Sequence, residues 1–265
     1  MTRRAASIGV LALLAMAFGP AAPRAADPPM TADQLVAQVI RARISTGFRL
    51  RVTLTRLTPG SKDTQIRQLL IKGRRDRERA TVLYQVLWPT ELASALVIRD
   101  PGDHQPAGFL YRSGRATPLT ANMLNDSFID SDLRLEDLAE EFWYWRSRKI
   151  VGEETVDEHR CTIVELRPAR DTATAYSLIK AWIAPELGLP LRVEQFRRDG
   201  RLAKHIVLRR VAKQGKRWLP TLITIEPSDG RARTVLDGVK SEHDLQFPAA
   251  AFTVDAIRKS LQRPE

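Results

Sequence analysis

Four histidines are candidates for binding a metal ion or transferring a proton. They are His104, His159, His205 and His243, and they are scattered among segments typical of turns and strands. No two of them have the i, i+4 spacing that would place two zinc ligands on one face of a helix. We therefore predict that the histidines lie on the surface and that the protein has no metal site.

A cluster of hydroxyl and acidic residues lies near the middle of the chain. Two serines, Ser127 and Ser131, are interspersed with three aspartates, Asp126, Asp130 and Asp132. An EF-hand calcium loop needs a glycine and a terminal glutamate at set positions, and this segment has neither at that spacing. The acidic pair at 136–137 is typical of the first turn of a short helix, where carboxylates interact favourably with the helix dipole.

The sequence contains no motif typical of nucleophilic or cofactor-dependent catalysis. Cys161 is the only cysteine, which excludes a disulfide framework, and its apolar neighbour Ile163 predicts a buried, inert thiol. The sequence contains no G-x-S-x-G motif, no phosphate-binding loop and no dinucleotide-binding glycine pattern. We predict that the protein is not an enzyme and needs no cofactor.

The first 26 residues have the three parts of a secretory signal peptide. Arg3 and Arg4 give a charged start, the residues from Ile8 to Phe18 are apolar, and residues 21–26 are mostly small. The apolar run is too short to span a bilayer, and a buried N-terminal helix is the alternative. We expect cleavage before Asp27, and a soluble periplasmic protein in which residues 27–265 form one domain.

The chain is strongly basic, with a formal net charge of +11. Cleavage would remove Arg3, Arg4 and Arg24 but no acidic residue, which leaves a net charge of +8. A secreted protein rarely meets nucleic acid, so no nucleic-acid partner is expected. The charge is either a solvated basic surface or a surface attracted to anionic lipid headgroups or an acidic partner.

The element that opens the mature chain is predicted to be a helix over residues 31–44. Thr31 and Gln34 have the spacing of a capping box. One apolar stripe at helical spacing follows, formed by Leu35, Val36, Val39, Ile40 and Ile44. Further helices are expected only at residues 135–142 and within residues 248–261. The aromatic residues at 142–145 are interpreted either as core or as the anchor of a lid.

After Gly47 the apolar period changes to two, which is typical of half-buried strands. On the first strand the apolar positions are Phe48, Leu50, Val52 and Leu54. A second strand is predicted over residues 64–72, a turn over 73–76, and a third strand over 80–87 that carries Val82, Tyr84 and Val86. The remaining strands are predicted over residues 93–99, 108–113, 145–151, 160–167, 176–184, 191–197, 203–213, 218–226 and 232–239.

The connections between these strands are short and contain no crossover helix. Asp-Gly turns at 199–200 and 229–230 are strong hairpin signals. The pattern favours a mainly β protein (α+β class) with an antiparallel meander, and a sheet of this many strands should curl toward a barrel.

Three stretches resemble the periplasmic outer-membrane lipoprotein-sorting family, the LolA-like proteins, and in particular its transporter-associated branch. Residues 92–98 and 109–111 are similar to the strand pair GTALL … WLYLP of that family. Residues 125–138, NDSFIDSDLRLEDL, are similar to its segment GSFMGSDFSYEDL, with acidic residues in place of two glycines. The third stretch runs from residues 182–190 through 218–221 to 247–253.

The resemblance implies a half-open antiparallel β-barrel of about 11 strands whose mouth is covered by helices. It also implies a carrier that shields a lipid or lipoprotein acyl chain in a concave apolar face, beside an inner-membrane RND or ABC transporter. The helices would open to admit the chain. The candidate walls are Phe48, Leu50, Val52 and Leu54 on the first strand and Val82, Tyr84 and Val86 on the third. The candidate headgroup contacts at the rim are Arg49, Arg51, Arg74 and Arg75.

Three alternatives to this interpretation remain open at the level of sequence, and the weakest is an enzyme whose site is assembled from distant residues. The apolar strand residues could form a closed core, with no space for a ligand. The protein could also be a periplasmic sensor or interaction module that binds a partner protein. The protein is expected to be a monomer.

Overall fold

A computed structural model describes residues 29–43, 47–62, 64–76, 79–99, 107–214 and 217–262. The predicted signal peptide, residues 1–26, and His104 lie outside the described residues. The described part contains three α-helices: α1 (Ala32–Arg43), α2 (Leu135–Ala139) and α3 (Val254–Gln262). Short 3-10 helices lie at Thr90–Leu92, Ala121–Asn125, Glu141–Tyr144 and Ala249–Phe252. No described helix is both long enough and apolar enough to cross a membrane.

One antiparallel sheet contains all 13 strands of the described residues, in the order β6-β5-β4-β3-β2-β1-β13-β12-β11-β10-β9-β8-β7. Strands that follow one another in sequence are paired, except that β6 and β7 form the two edges of the sheet, and at its centre β1 pairs with β13. The bounds are β1 Gly47–Leu57, β2 Gln65–Asp76, β3 Arg79–Trp88, β4 Ser94–Arg99, β5 Ala107–Arg112, β6 Arg115–Pro118, β7 Ser147–Val156, β8 His159–Arg167, β9 Tyr176–Ala184, β10 Leu189–Arg197, β11 Leu202–Gln214, β12 Arg217–Pro227 and β13 Arg233–Leu245.

This architecture confirms the predicted fold class, an open antiparallel barrel with covering helices. The sheet has 13 strands rather than about 11. Part of the difference is the short hairpin strand β6, Arg115–Pro118, whose polar sequence gives no strand signal. The predicted turn at residues 73–76 was also wrong, because β2 continues through Asp76 and pairs with β3 along that stretch.

The two faces of the sheet have different covers, and we call the face that carries Leu50, Val52 and Leu54 the inner face. Helix α1 packs on its β8–β10 half, where Leu35, Val36 and Val39 contact a buried cluster that includes Val164 and Ile183. The predicted capping box is present: the Thr31 N–H donates to Gln34 Oε1 at 2.8 Å, and the Gln34 N–H donates to Thr31 Oγ1 at 3.2 Å.

Residues 121–145 form the second cover of the inner face, and we call them the central segment. Leu124, Phe128 and Leu133 pack on strands β1–β4, while Trp143 and Trp145 join the cluster below α1. The two tryptophans are therefore core residues. The predicted helix at 135–142 is interrupted because Glu140 adopts a left-handed backbone with φ 49°, and a 3-10 turn follows.

Helix α3 lies against the opposite, outer face. Ile257 and Phe252 pack there on Leu83, Val97 and Tyr111, whose side chains alternate with the inward-facing residues of β3–β5. The inner face is thus covered by the central segment toward one end of the strand order and by α1 toward the other. An opening is expected between these two covers, at the middle strands β1, β13 and β12.

Candidate functional site: an apolar cavity with a basic rim

A cavity of about 530 Å³ opens on the inner face at the central strands β1, β12 and β13. Its volume lies within the range of about 300–1,000 Å³ that is typical of small-molecule sites. Most of its lining is apolar: Ala42, Phe48, Leu50, Val52, Ile71, Leu219, Pro220, Ile223, Leu236 and Val239. The other lining residues are Gln214, Arg217, Thr221, Gly238, Lys240, Ser241 and His243.

Three of the seven residues predicted to form the apolar wall line this cavity: Phe48, Leu50 and Val52. The period-two alternation of β1 places them side by side, with Ile71 of β2 directly opposite Leu50. The fourth residue of that strand, Leu54, is fully buried beneath the central segment and does not line the cavity.

The predicted wall residues on β3 are also separated from the cavity. Val86 is fully buried, and Val82 and Tyr84 pack against the same core cluster. The Tyr84 hydroxyl donates to the Leu138 carbonyl at 3.3 Å, and its ring makes an edge contact with Phe128 at 6.0 Å. The closed-core alternative therefore describes β3, whereas the beginning of β1 faces open space.

A break in strand pairing shapes the rim of the cavity. Arg51 pairs with Lys240 and Val52 pairs with Gly238, so that Val239 has no partner on β1. This bulge leaves the Val239 side chain 70% exposed among the lining residues. A β-bulge disrupts the ladder and redirects side chains, and here it adds an apolar side chain and Lys240 to the cavity.

Gly73 provides the space for one wall of the cavity. A Cβ atom at this position would lie 2.1 Å from Cε1 of Phe48, which is far too close for any contact. The Phe48 ring therefore lies directly over the backbone of β2 at Gly73. This close approach explains why a glycine, read from the sequence as part of a turn, belongs to a strand.

The basic residues at the rim differ from those predicted. Arg49 and Arg51 alternate with the wall residues of β1, and none of Arg49, Arg51, Arg74 and Arg75 lines the cavity. Arg49 instead pairs with Glu242 at 2.6 Å. The cavity takes Arg217 from the start of β12, and Lys240 and His243 from β13.

His243 also differs from the prediction that the histidines lie on the surface. His159 and His205 are about one third exposed and lie near Glu186 and Glu194, at 2.9 and 3.5 Å. By contrast, Nε2 of His243 is buried and has no hydrogen-bond partner among the described residues. Burial, followed by the charge of Arg217, lowers the pKa of His243.

A buried polar network holds the central segment on the inner face. The Lys204 ammonium of β11 donates to the Asp137 carboxylate, and both side chains are almost completely buried. Asp137 also accepts hydrogen bonds from the Tyr176 hydroxyl at 2.9 Å and from the Arg134 N–H at 2.7 Å. Burial, followed by the nearby Asp137 charge, raises the pKa of Tyr176, so the phenol remains a donor.

Two further acidic residues of the central segment accept hydrogen bonds from outside it, Asp132 from β13 and Glu136 from the loop before β9. Asp132 accepts a hydrogen bond from the Thr234 hydroxyl at 2.7 Å. Glu136 accepts one from Thr174 at 3.0 Å, and burial, followed by the charge of Asp137, raises its pKa. The acidic pair at 136–137 does start a short helix, as predicted, and its carboxylates also connect that helix to the sheet, through Asp137, and to the loop before β9, through Glu136.

The described residues contain neither a cluster of metal ligands nor a reactive thiol. No group of three or more histidine, cysteine, aspartate or glutamate side chains that could hold a metal ion occurs in the described part of the chain. Cys161 is buried, and burial raises its pKa to about 11, so the thiolate is strongly disfavoured. The sequence did not point to Arg217, Lys240 or His243, although the alternation of β12 places Leu219, Thr221 and Ile223 on one face.

Three of the solved structures that share this fold come from different bacteria. A DUF1329 family protein from Desulfovibrio piger superposes with a TM-score of 0.78 at 19% identity, over 85% of this chain and 97% of that one. A domain assigned to outer membrane lipoprotein sorting, from Vibrio parahaemolyticus, gives 0.76 at 16% identity, over 84% and 97%. A LolA superfamily protein from Nitrosomonas europaea gives 0.69 at 16% identity, over 86% and 100%.

The resemblance to the LolA-like proteins is thus confirmed at the level of the fold. A sequence model of a protein family, described as "-like: Uncharacterized protein", matches residues 96–259. Because this match spans more than half of the chain, the chain belongs to that family. No curated protein matches its sequence.

Proposed function

We propose that the protein is a periplasmic, non-enzymatic carrier that binds an acyl chain of a lipid or lipoprotein in the cavity. The observation that carries the proposal is the cavity itself, an apolar space of about 530 Å³ on the inner face of the sheet. Transfer of an acyl chain from water to such a site contributes about 0.8 kcal/mol for each buried methylene. Binding therefore needs no covalent chemistry.

The buried network supports the open cavity, rather than the space beneath the central segment, as the binding place. Displacing that segment would break the Lys204–Asp137 pair and the hydrogen bonds of Asp132 and Tyr176. Separating the partners of a buried ion pair costs several kcal/mol. The cavity at β1, β12 and β13 is already accessible, so a chain can enter it without that cost.

The cellular role that we propose is lipid or lipoprotein sorting toward the outer membrane, beside an RND or ABC transporter in the inner membrane. Its support is the fold shared with a domain assigned to lipoprotein sorting, together with the signal-peptide pattern of residues 1–26. A secreted carrier would take its cargo at one membrane and release it at the other.

Uptake of a fluorescent fatty acid by the purified mature protein tests acyl-chain binding. We expect saturable binding that is lost when Leu50→Asp places a charge in the cavity wall. Ile66→Asp is the matched control, because Ile66 is 42% exposed on β2 and does not line the cavity. Native mass spectrometry of protein from a Gram-negative periplasm should show bound lipid. Protein that is lipid-free and does not take up the probe would overturn the proposal.

A further inference from the structure

The polar lining of the cavity has a single sign of charge. Arg217 and Lys240 supply two cations, and His243 supplies an imidazole, whereas no carboxylate belongs to the described residues that line the cavity. The nearest acids on β13 contact these cations without lining the cavity. Asp244 binds Arg217 at 2.8 and 3.1 Å, and Glu242 binds Lys240 at 2.9 Å. Both cations thus have a carboxylate partner outside the lining, and an anion bound in the cavity would share Arg217 with Asp244 and Lys240 with Glu242.

His243 adds a ring nitrogen, Nε2, that lacks a hydrogen-bond partner among the described residues. This nitrogen is buried. The ring lies 6.4 Å from that of Phe48, at the apolar wall. A buried polar atom without a partner is unfavourable, and imidazole can present a proton on Nε2 in one neutral tautomer or when charged. An oxyanion at the mouth would accept that proton.

The lining of the cavity thus has an apolar part and a polar part. Phe48, Leu50 and Val52 offer apolar surface for a hydrocarbon chain, while Arg217, Lys240 and His243 offer positive charge and a hydrogen-bond donor. The Arg and Lys groups are exposed to different degrees: Arg217 is 26% exposed and Lys240 is 66% exposed. Charge-assisted hydrogen bonds are stronger where water is partly excluded, so Arg217 and His243 should contribute more than Lys240.

We propose that Arg217, Lys240 and His243 form a subsite for the oxyanion headgroup of an amphiphile whose acyl chain occupies the cavity. This inference rests on the proposed function, and it adds the class of cargo. The shared chemistry is a carboxylate or phosphate group at the end of a hydrocarbon chain. Neutral amphiphiles would bind through the chain alone, and cationic ones would be repelled.

Calorimetric titration with single-chain ligands of equal length tests the subsite. We expect dodecanoate and dodecyl phosphate to bind at least about tenfold more tightly than dodecanol, as expected for hydrogen bonds to a charged group. Dodecyltrimethylammonium should bind most weakly. The ratio of the dodecanoate and dodecyl phosphate affinities distinguishes a free fatty acid from a phospholipid headgroup as the source of the oxyanion.

Single substitutions test whether Arg217 and His243 cause the preference for anionic ligands. Arg217→Met and His243→Leu should each bring the ratio of dodecanoate to dodecanol affinity closer to one. Lys149→Met is the matched control, because Lys149 is an exposed cation on the distant edge strand β7, and it should keep the wild-type ratio. Equal wild-type affinity for dodecanoate and dodecanol would overturn the subsite and leave acyl-chain binding standing. Failure of all four ligands to bind would instead overturn the proposed function.

Discussion

Replacing Lys204 by methionine tests whether the central segment is held on the inner face by a buried ion pair. Methionine keeps much of the apolar stem of lysine and removes the ammonium. The Asp137 side chain has no exposed surface and that of Lys204 is 6% exposed, so water cannot replace the lost partner without a local opening. The Asp132 carbonyl also loses the hydrogen bond that it accepts from Lys204 at 2.9 Å.

The size of the effect follows from what remains around Asp137. Removing one partner of a buried ion pair typically costs about 3–5 kcal/mol. Asp137 keeps its hydrogen bonds from the Tyr176 hydroxyl and the Arg134 N–H. We therefore expect Lys204→Met to lower the free energy of unfolding by about 3 kcal/mol, near the lower end of that range.

Urea denaturation followed by tryptophan fluorescence measures this loss as a lower midpoint at an unchanged m-value. The double variant Lys204→Met with Asp137→Asn should be more stable than the sum of the single losses predicts, by about 1–3 kcal/mol. Arg160→Met, which breaks an exposed pair with Glu153, is the control and should leave the midpoint unchanged. Additive losses in the double variant would refute the buried ion pair as the attachment of the segment.

Three further predictions follow from single residues. Gly73→Ala should force the Phe48 ring to move and reduce fatty-acid uptake. Gly152→Ala should leave uptake unchanged, because the atom nearest to its new Cβ is 3.7 Å away. Equal uptake by both variants would contradict the role of Gly73. The folded state raises the pKa of Glu136, so the wild type should gain stability as the pH falls through that pKa toward the unfolded value near 4.3. Glu136→Gln should lack this gain when the free energy of unfolding is measured by urea titration at each pH. Parallel pH profiles of the two proteins would contradict the prediction. Cys161, with a pKa raised to about 11, should resist iodoacetamide at pH 8 until urea unfolds the protein; rapid modification of the native protein would contradict its burial.

The strands and their faces could be predicted because alternation is a local property of the sequence. The positions of Phe48, Leu50 and Val52 on one face of β1 follow from period two alone. The interruption at Val239 could not be predicted, because a bulge depends on the register between β1 and β13, which lie at opposite ends of the described chain. The strand prediction ended at that residue, although β13 continues to Leu245.

The polar contacts of the site also depend on residues that are distant in sequence, so they could not be predicted from it. Lys204 and Asp137 are 67 residues apart, and nothing in either local pattern indicates that they meet. Alternation on β12 and β13 would have placed Ile223 and Leu236 beside the wall of β1, but only once the pairing of β1 with β13 was known. The same pairing places Arg217 and His243 among the residues that line the cavity.

The position of a bound chain is the most direct test of the account. A fatty acid with a photoreactive diazirine near its methyl end can be crosslinked to the protein, and the labelled residues can be identified by mass spectrometry. We predict labels on Phe48, Leu50 or Val52 of β1 and on the facing residues Leu219 to Ile223 of β12. Labels confined to the outer face near α3, or saturating probe that labels no cavity residue, would contradict a carrier that uses this cavity.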